Sequence, residues 1–574
     1  MKKLLPGASL GKAGLLRPAL SLALLLTLSA GDAPGQPRPP DRPRPTKPAG
    51  TGEPRWQASG NRGAVVAGGQ EAVEAGLAAL RSGGNAADAA ATTLLALTVT
   101  DAHQFCFGGE VPILVYDARR GVVEVLAGQG TAPRLATADY FRQKGGIPGR
   151  GIEAATVPAT LDACLTLLDR YGTRTFAEAA APTLAILERK EYPWHADLAR
   201  TLRRLIEAEK ESGSDRQRGL RLVADYFYRG PIARELDAWS RANGGLLRYS
   251  DLATHVTRIE EPVAVTYRGH TVYKCGPWTQ GPCLLQALRL LEGFDLKGMG
   301  HNKPDTIHVT VEALKLALAD RDMHYGDPLF ADIPLRELLS PEYADLRRPL
   351  IDRRQASLVL RPGDPRGGKA LLERAESPRG PGGAANDTTT CLTADAQGNV
   401  VAATPSGWSG VLAGATGVWL GSRLQSFNLL EGSPNCLEPG KRPRITLTPT
   451  IVLKEGKPRM AVSVAGGDGQ DQVTLQLLLN AIDFGLAPAD AVTAPRFETR
   501  HFISSFRQAP PELGLVRIYA DVGEETLAEL KARGHRVTVV RPPIWVPSML
   551  TIDASSGLIR AAGDPRAGRH AAAF

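Results

Sequence analysis

Cysteine is scarce in this chain of 574 residues, and the spacings that would give it a metal role are missing. Only six cysteines occur, too few for a disulfide scaffold, and neither a CxxC nor an HExxH motif is present. The sequence therefore gives little support to a zinc site, and we expect no metal. Cys275 and Cys283 lie close enough in sequence to pair in an oxidising compartment, and buried free thiols are the alternative.

Long apolar runs are equally scarce, and positive charge is scarce outside one end of the chain. The single long apolar run lies near the N-terminus, which excludes a multi-span membrane protein. Residues 1–60 hold nine Lys/Arg and three Asp/Glu, so only +2 of the net +8 belongs to the rest. A near-neutral body without a clustered basic face is not typical of a nucleic-acid-binding protein. With 43% hydrophobic and 22% charged residues, the composition indicates a globular protein.

The first 31 residues have the layout of an export signal. Basic residues precede a short apolar core at 20–26, and the small residues Ser29, Ala30 and Gly31 follow it. Because this core is too short to span a membrane comfortably, we predict a cleaved signal peptide over 1–31 and no stable membrane span. The protein is then expected in the periplasm or outside the cell, with the cleavage position left open.

Composition divides the remainder of the chain. Eight prolines between residues 34 and 54 predict a stiff, solvated linker over 32–61. Residues 62–387 have mostly helical spacing with a few strands, and the last part of this stretch, 361–387, is rich in Pro, Gly and charge. We expect that part to be mobile and exposed. From Thr388 onward, paired strand patterns and an apolar helix predict a layered α+β domain over 388–574.

Thr388 stands where the Gly-rich segment ends and a strand pattern begins. A Thr hydroxyl is a weak nucleophile that needs a base, and no Ser/His/Asp set is evident elsewhere in the sequence. If the bond between Asp387 and Thr388 were cut, Thr388 would gain a free α-amine. With a pKa of about 8, that amine could take the proton of the residue's own hydroxyl. Taken alone, an ordinary edge strand would explain a Thr-rich start as well.

Nine runs along the chain match one known family in the same order. They are LRSGGNAADAAATTLLALTVT (80–100), VPATLDACLTLLDRYG (157–172), TYRGHTVYKCGPWTQGP (266–282), EALKLALADRDMHYGDPLF (312–330), DTTTCLTADAQGNVVAATPS (387–406), KRPRITLTPTIVL (441–453), AGGDGQDQ (465–472), NAIDFGLAPADAVTAPRF (480–497) and GDPR (563–566). Through these runs the chain resembles the γ-glutamyltransferase (glutathione hydrolase) family of N-terminal-nucleophile hydrolases. The resemblance extends over roughly residues 62–574.

The resemblance implies a four-layer αββα sandwich made as an inactive precursor. Cleavage between Asp387 and Thr388 would leave a large, mostly helical chain and a small, β-rich catalytic chain. By position, Thr388 would be the nucleophile with its own amine as base, and Ser406 would hydrogen-bond the nucleophile. The backbone N–H groups of Gly466 and Gly467 would form the oxyanion hole. The family implies no cofactor, a small amide as substrate, and the two chains of one precursor as partners.

The substrate pocket departs from the family's pattern. Gln129 stands in place of the Arg that binds the substrate's α-carboxylate, Ile445 and Thr446 in place of two serines that support it, Trp408 in place of an Asn, and Arg423 and Ser426 in place of a Gln and an Asp. An α-amino acid head group is a zwitterion that needs both counter-charges when buried. We treat these positions as candidate substrate-binding residues whose acyl preference has changed.

The predicted function is that of an exported, self-processing Thr amidohydrolase acting on γ-glutamyl or related acyl amides such as glutathione. An acylase for a different acyl group, and a non-cleaving family member that only binds, stay open as alternatives. The balance of hydrolysis and acyl transfer and the oligomeric state are also open. One hypothesis places Arg423 against an anionic acyl end beside the Trp408 ring; an exposed surface Arg is its alternative.

Overall fold

The computed structural model describes residues 55–372, 388–407 and 410–574. The predicted signal peptide, most of the predicted linker, Asp387 and Trp408 lie outside these residues. Within the described end of the linker, Gln57–Gly60 form an edge strand paired to a strand near the C-terminus. The folded body therefore begins before residue 62, earlier than the linker boundary predicted from composition.

The strands and helices of the described residues have the following bounds. The strands are β1 (Gln57–Gly60), β2 (Gly63–Gly68), β3 (Val111–Asp117), β4 (Val122–Gly128), β5 (Arg258–Glu260), β6 (Val263–Tyr267), β7 (His270–Lys274), β8 (Cys391–Asp395), β9 (Val400–Ala403), β10 (Val411–Leu412), β11 (Trp419–Leu420), β12 (Thr450–Lys454), β13 (Lys457–Ala465), β14 (Phe497–Thr499), β15 (Leu515–Ile518), β16 (Arg536–Val539), β17 (Val546–Ile552), β18 (Ile559–Gly563) and β19 (Arg569–Ala573). The helices are α1 (Gln70–Arg81), α2 (Ala86–Thr100), α3 (Ala138–Gln143), α4 (Thr160–Tyr171), α5 (Phe176–Glu188), α6 (Pro193–Lys210), α7 (Arg216–Tyr228), α8 (Pro231–Ala242), α9 (Tyr249–Ala253), α10 (Gly281–Leu291), α11 (Leu296–Met299), α12 (Pro304–His324), α13 (Leu335–Leu338), α14 (Pro341–Arg347), α15 (Gln470–Ile482), α16 (Pro488–Thr493) and α17 (Glu524–Ala532).

Two seven-stranded antiparallel sheets form the centre of the molecule. The first has the order β1-β18-β17-β13-β12-β7-β6 and the second the order β19-β2-β8-β9-β3-β4-β5. Alternate apolar side chains of the facing strands form the core between them, among them Val66, Leu392 and Ala402 of the second sheet and Ile451 and Leu550 of the first.

Helices cover the outer face of each sheet. α2 is apolar on nearly every side and buried along most of its length, because it lies between the second sheet and the outer helices α4 and α5. α10, α12 and α15 cover the first sheet, with side chains such as Leu288, Leu314 and Val473 in a second apolar cluster. The layers follow the order helix, sheet, sheet, helix, and the predicted αββα sandwich is confirmed.

The hairpin predicted just after Thr388 forms, with one shift at its start. β8 and β9 pair antiparallel across a turn in which Asn399 N–H donates to Asp395 Oδ1 at 3.0 Å. Thr388–Thr390 precede β8 instead of opening it, since the regular strand begins at Cys391. The chain still follows the sheet there, because Thr389 N–H donates to Pro405 O at 2.9 Å.

The described part of the segment predicted to be mobile, 361–372, is held against the body. Gly363 N–H donates to Asp320 Oδ1 at 2.8 Å, and Leu372 N–H donates to Pro362 O at 2.7 Å. Asp320 is buried, so this contact anchors the segment to the core of α12. Residues 361–372 thus contact the body in this structure, and the remainder of the segment, 373–387, lies outside the described residues. Mobility of the segment stays a prediction.

The cysteines are free thiols, so Cys275 and Cys283 do not form a disulfide. Among the described residues, no helix combines the length and the apolar character needed to cross a membrane. In the same residues, no group of three or more His, Cys, Asp and Glu side chains is arranged to hold a metal ion.

Candidate active site

The candidate catalytic residues lie at one end of the facing sheets, at the ends of central strands. Thr388 precedes β8, Ser406 follows β9, and Gly466 follows β13. β8 lies between β2 and β9 in the second sheet, and β13 lies between β17 and β12 in the first. Central strands have neighbours on both sides, so these positions are held more rigidly than positions on an edge strand.

Hydroxyl pairs connect the two sheets next to these residues. Thr390 Oγ1 lies 2.8 Å from Ser548 Oγ, and Thr404 Oγ1 lies 2.9 Å from Ser463 Oγ. All four side chains are buried, so the apolar core between the sheets gives way to hydrogen-bonded hydroxyls at this end. These pairs fix the separation of β8 and β9 from the first sheet beside the candidate site.

Thr388 is buried and held at both its nitrogen and its hydroxyl. Its backbone N–H donates to Gln104 Oε1 at 3.1 Å, and its Oγ1 lies 3.3 Å from Ser406 Oγ. Gln104 lies in the turn that follows α2. The side chain of Ser406 is therefore in the position predicted for a hydroxyl that hydrogen-bonds the nucleophile.

Arg423 fixes the direction of the hydrogen bonds around Ser406. Its Nη2 donates to Ser406 Oγ at 2.6 Å. Because a guanidinium can only donate, Ser406 Oγ accepts in this bond and retains its own proton for another acceptor. Thr388 Oγ1 lies within reach of that proton, and a hydroxyl donating to it would stabilise negative charge developing on the nucleophile.

Glu110 provides the counter-charge of Arg423. Arg423 Nε donates to Glu110 Oε1 at 2.6 Å, and both side chains are almost fully buried. The backbone of Glu110 also exchanges two hydrogen bonds with that of Ser406, at 3.0 and 2.9 Å. The ion pair is thus attached to the same backbone pairing that positions Ser406. Glu110, Arg423, Ser406 and Thr388, called here the nucleophile side, form one connected chain of contacts.

Gly466 and Gly467 adopt backbone conformations that favour glycine, with φ of +147° and +55°. A Cβ on Gly466 would lie 2.3 Å from the ring of Trp545, and one on Gly467 would lie 2.8 Å from the ring of Phe506. The side-chain amide of Gln470, oriented to donate to backbone oxygens, accepts from Gly467 N–H at 3.3 Å. Rings packed directly on the backbone leave no room for any other residue at the pair.

A buried charge network supports the turn after this pair. Asp468 Oδ1 accepts from Arg321 Nη1 at 2.6 Å, and Asp468 Oδ2 accepts from Ser505 N–H at 3.0 Å. Arg444 Nη1 donates to Ser505 Oγ at 2.8 Å. Burial raises the pKa of Asp468, but Arg321 and Arg444 more than offset this, so the pKa lies below its ordinary value. Burial and Arg321 lower the pKa of Arg444 to about 10. We call Gly466, Gly467 and this network the glycine side.

Comparison with known proteins identifies the family. The model of the family described as gamma-glutamyltranspeptidase matches residues 72–210 and 190–574. The chain belongs to the γ-glutamyltranspeptidase family. Members of this family are N-terminal-nucleophile hydrolases and acyltransferases, and the chain is an enzyme of that class.

Relatives of this γ-glutamyltranspeptidase-family chain have two kinds of name. The glutathione hydrolase-like YwrD proenzyme of Bacillus subtilis (strain 168) is 30% identical over 528 residues, 86% of this chain and 95% of that protein. The acylase ACY 1 proenzyme of Pseudomonas sp. (strain SE83) is 32% identical over 529 residues, 85% of this chain and 88% of that protein. The crystal structure of cephalosporin acylase from Bacillus halodurans superposes with a TM-score of 0.76 at 28% identity, covering 93% and 99% of the two chains.

The remaining substrate-binding candidates of this γ-glutamyltranspeptidase-family chain are placed as follows. Gln129 is buried, and its Nε2 donates to Gly130 O at 2.8 Å. Thr446 O accepts from the Gln470 amide, which also contacts Gly467, so Thr446 lies at the glycine side. Ser426 is buried in the same short turn as Arg423. Arg423 is buried, so the alternative that it is an exposed surface residue is wrong. Its contact with an anionic acyl end stays a prediction.

Sequence reasoning missed three kinds of contributor to the site. Glu110 carries a signal that could have been used, because it is a lone acid between two glycines and an apolar strand. Gln104 gives no such signal, since a polar residue in a turn is ordinary. The network of Arg321, Asp468 and Arg444 joins residues far apart in sequence, and no local spacing points to it.

Proposed function

We propose that the protein is a precursor that cleaves itself before Thr388 and then hydrolyses small amides through an acyl ester on that residue. The observation that carries the proposal is the position of Thr388: buried, next to a central strand, with its hydroxyl 3.3 Å from Ser406 Oγ. Two relatives are named proenzymes, in agreement with such a precursor.

Self-cleavage would begin with attack of Thr388 Oγ1 on the carbonyl carbon of Asp387. The C–N bond of that peptide breaks, an ester forms on Oγ1, and the departing nitrogen keeps its proton and takes the one from the hydroxyl. Water then hydrolyses the ester, which releases the carboxylate of Asp387 and restores the hydroxyl. Gln104 Oε1, already an acceptor for Thr388 N–H, is placed to hold the new amine.

Turnover would repeat this chemistry on a substrate. The free α-amine takes the proton of Oγ1 as the oxygen attacks the amide carbonyl, and it then passes a proton to the departing amine. Ser406 donates to the nucleophile oxygen, and the backbone N–H groups of the glycine pair, that of Gly467 shared with Gln470, stabilise the oxyanion. Water, or an acceptor amine in a transfer reaction, releases the acyl group from Thr388.

A second candidate, an acylase for acyl groups that lack an α-amino acid head, is favoured by the charges around the site. Gln129 carries no charge, and the charge of Arg423 is matched by Glu110 and directed to Ser406. A γ-glutamyl zwitterion would then lack dedicated counter-charges at these positions, which costs on the order of several kcal/mol when buried. One relative is itself named an acylase.

A gel of the purified protein tests the central step. Residues 388–574 are 187 of the 574 residues of a 61.1 kDa chain, so cleavage should release a fragment of about 20 kDa that begins Thr-Thr-Thr-Cys. Thr388→Ser should still be cleaved because it keeps a hydroxyl, whereas Thr388→Ala should stay a single chain. A wild-type protein that stays whole would favour a family member that only binds, and cleavage of Thr388→Ala would show that the nucleophile is another residue.

A pair of substrates separates the two candidates. Glutaryl-p-nitroanilide differs from γ-glutamyl-p-nitroanilide only in lacking the α-ammonium group. The charge argument predicts at least tenfold higher kcat/KM for the glutaryl compound. An equal or higher kcat/KM for the γ-glutamyl compound would contradict the acylase candidate and favour glutathione-type substrates.

Export is part of the proposal and rests on the sequence of residues 1–31. Expression with and without these residues, followed by separation of periplasm, medium and cytoplasm, tests it. The full chain should appear outside the cytoplasm with its N-terminus shortened, and the truncated chain should not. Retention of the full chain in the cytoplasm would contradict export.

A further inference from the structure

A cavity of about 330 Å³ lies beside the glycine pair and takes no part in the proposed chemistry so far. Its wall includes two aromatic rings, those of Phe506 and Trp545, and two guanidinium groups, those of Arg500 and Arg517. The volume is at the lower end of the range of about 300–1,000 Å³ typical of ligand sites. The cavity therefore suits part of a small molecule and not a peptide chain.

The aromatic wall is fixed in place. The Trp545 ring lies against the backbone of Gly466, and its Nε1 donates to Glu498. Trp545 itself has φ of +56°, a conformation that costs free energy for a bulky residue and persists only where its surroundings hold it. Phe506 lies against Gly467 and within 5.9 Å of the Arg423 guanidinium carbon. The two rings therefore form one wall of the cavity beside the glycine pair, with Phe506 on the side nearer Arg423.

The two guanidinium groups differ in how their charge is matched. Arg517 donates to Glu498, its cross-strand neighbour, which is fully buried. Arg500 lies 3.7 Å from the half-exposed Glu512, too far for a hydrogen bond, and its guanidinium carbon lies 5.5 Å from the centre of the Phe502 ring. Within the described residues, the guanidinium group of Arg500 makes no hydrogen bond. The cavity thus presents one cation whose planar donors are available to a ligand.

We propose that this cavity binds a planar group carrying one carboxylate, with the ring on Trp545 and Phe506 and the carboxylate on Arg500. Arg matches a carboxylate through two parallel N–H···O bonds, and aromatic rings bind flat groups over a large apolar area. Under the proposed function of Thr388, on which this part rests, the occupant is one half of the amide substrate.

The acidic side chains around the cavity favour a monoanion. Glu512 lies 3.7 Å from Arg500, and Asp468 also lines the wall. A doubly charged phosphate would face these carboxylates with a single available guanidinium, whereas one carboxylate can displace the loose contact of Glu512. A neutral ring would use the aromatic wall and leave Arg500 without an anion.

The test compares 2-naphthoate with 2-naphthamide, which share a ring system and differ in charge. Calorimetric titration of the full-length protein should show naphthoate binding at least tenfold more tightly than naphthamide. Arg500→Gln should remove that difference, and Trp545→Leu should weaken both probes. Arg536→Gln is the matched control, because Arg536 is exposed on β16 and does not line the cavity. Thermal unfolding confirms that each variant is folded.

Equal binding of the two probes, no binding of either, or an unchanged preference in folded Arg500→Gln would overturn the assignment. Repeating the titrations on Thr388→Ala separates this result from the fate of the proposed reaction, since binding does not require cleavage. A protein that prefers naphthoate through Arg500 but never cleaves itself would keep the site and lose the reaction. A protein that cleaves itself but binds the two probes equally would support the proposed reaction and contradict the carboxylate site.

Discussion

The nucleophile side and the glycine side both bury charge, and they use it differently. On the nucleophile side, one anion, Glu110, matches one cation, Arg423, and the guanidinium also donates to the Ser406 hydroxyl. On the glycine side, Asp468 is shared between Arg321 and the Ser505 that Arg444 holds. The first arrangement acts on the hydroxyl of Ser406, next to the proposed nucleophile Thr388, whereas the second holds the backbone after the glycine pair in place.

The two sides also differ in how far apart in sequence their residues lie. Glu110 and Ser406 lie on paired chain segments at the ends of β3 and β9, so a local change there is transmitted directly to Ser406. The glycine side draws on α12, on the loop before β12 and on the loop after β14, which are remote in sequence. We therefore expect damage to the nucleophile side to appear mainly in rate, and damage to the network of the glycine side mainly in stability.

The largest effect should come from Gly466→Ala. Unlike the changes described above, it should lower both the catalytic rate and the free energy of unfolding. The added Cβ would lie 2.3 Å from the Trp545 ring, at a φ of +147° that side chains rarely adopt. Overpacking and backbone strain together should cost about 2–6 kcal/mol of unfolding free energy. Displacement of an oxyanion donor should lower kcat about 100- to 1,000-fold. Urea unfolding and initial rates measure the two effects.

Gly485→Ala is the matched control for this change. Gly485 also has a positive φ, +70°, but no atom lies within 4 Å of its Cβ position. Only the backbone term of about 1–2 kcal/mol remains there, and the rate should not change. A rate loss in Gly485→Ala as large as that in Gly466→Ala would mean that the crowding at the glycine side is not what matters.

The next effect concerns the base that the nucleophile side uses. If the α-amine of Thr388 accepts the proton, only its neutral form is active, so activity should rise with pH through an apparent pKa of about 7–8. Below that pKa the rate should fall about tenfold per pH unit. Initial rates under single-turnover conditions isolate the chemical step. A profile that is flat between pH 6 and pH 9 would argue against the amine as base.

Glu110→Gln should have a smaller effect on rate and should test whether the ion pair positions Ser406. The change leaves the Arg423 charge buried without its anion, which should cost about 3–5 kcal/mol of stability. Self-cleavage should slow about tenfold because the guanidinium is no longer held against Ser406. Adding Arg423→Met should recover stability and not the cleavage rate, whereas a purely structural pair would recover both. Glu71→Gln, in the exposed pair with Arg189, is the control and should cost less than about 1 kcal/mol.

Sequence patterns predicted the fold where apolar residues recur at regular spacing or where turn residues mark the ends of a helix or strand. Apolar spacing predicts helices over 71–81 and 85–99, and two strand patterns at 388–394 and 400–404 around the turn residues 395–399 predict a hairpin. These correspond within a few residues to α1, α2 and the β8–β9 hairpin. β3 and β4 were not predicted: both lie inside the second sheet, and their apolar runs have no two-residue alternation to mark them. The four-layer sandwich was expected only through the family resemblance, and the order of the strands within each sheet was not predicted.

Only those site residues that lie in recognisable sequence motifs could be predicted. Thr388, Ser406 and the glycine pair could be located because each stands in a run that matches the family. The ion pair of Glu110 with Arg423 joins positions 313 residues apart, so no spacing rule reaches it. A single guanidinium in a sequence of ordinary charge content cannot be told from a surface residue until its burial is known.

The smallest effect, confined to stability, should come from Asp468→Asn on the glycine side. The pKa of Asp468 lies below its ordinary value because Arg321 and Arg444 offset the effect of burial. A group with a lowered folded pKa contributes stability above its unfolded pKa, about 3.9, and loses it as the pH falls through the folded value. The variant should therefore be less stable than wild type by about 2 kcal/mol at pH 7, and this difference should narrow as the pH falls below the unfolded pKa of about 3.9 and the wild-type carboxyl takes a proton. Urea midpoints at several pH values measure this, with Asp139→Asn, at an exposed position, as the matched control. A gap that stays constant with pH would show that the loss comes from altered packing and not from the charge of Asp468.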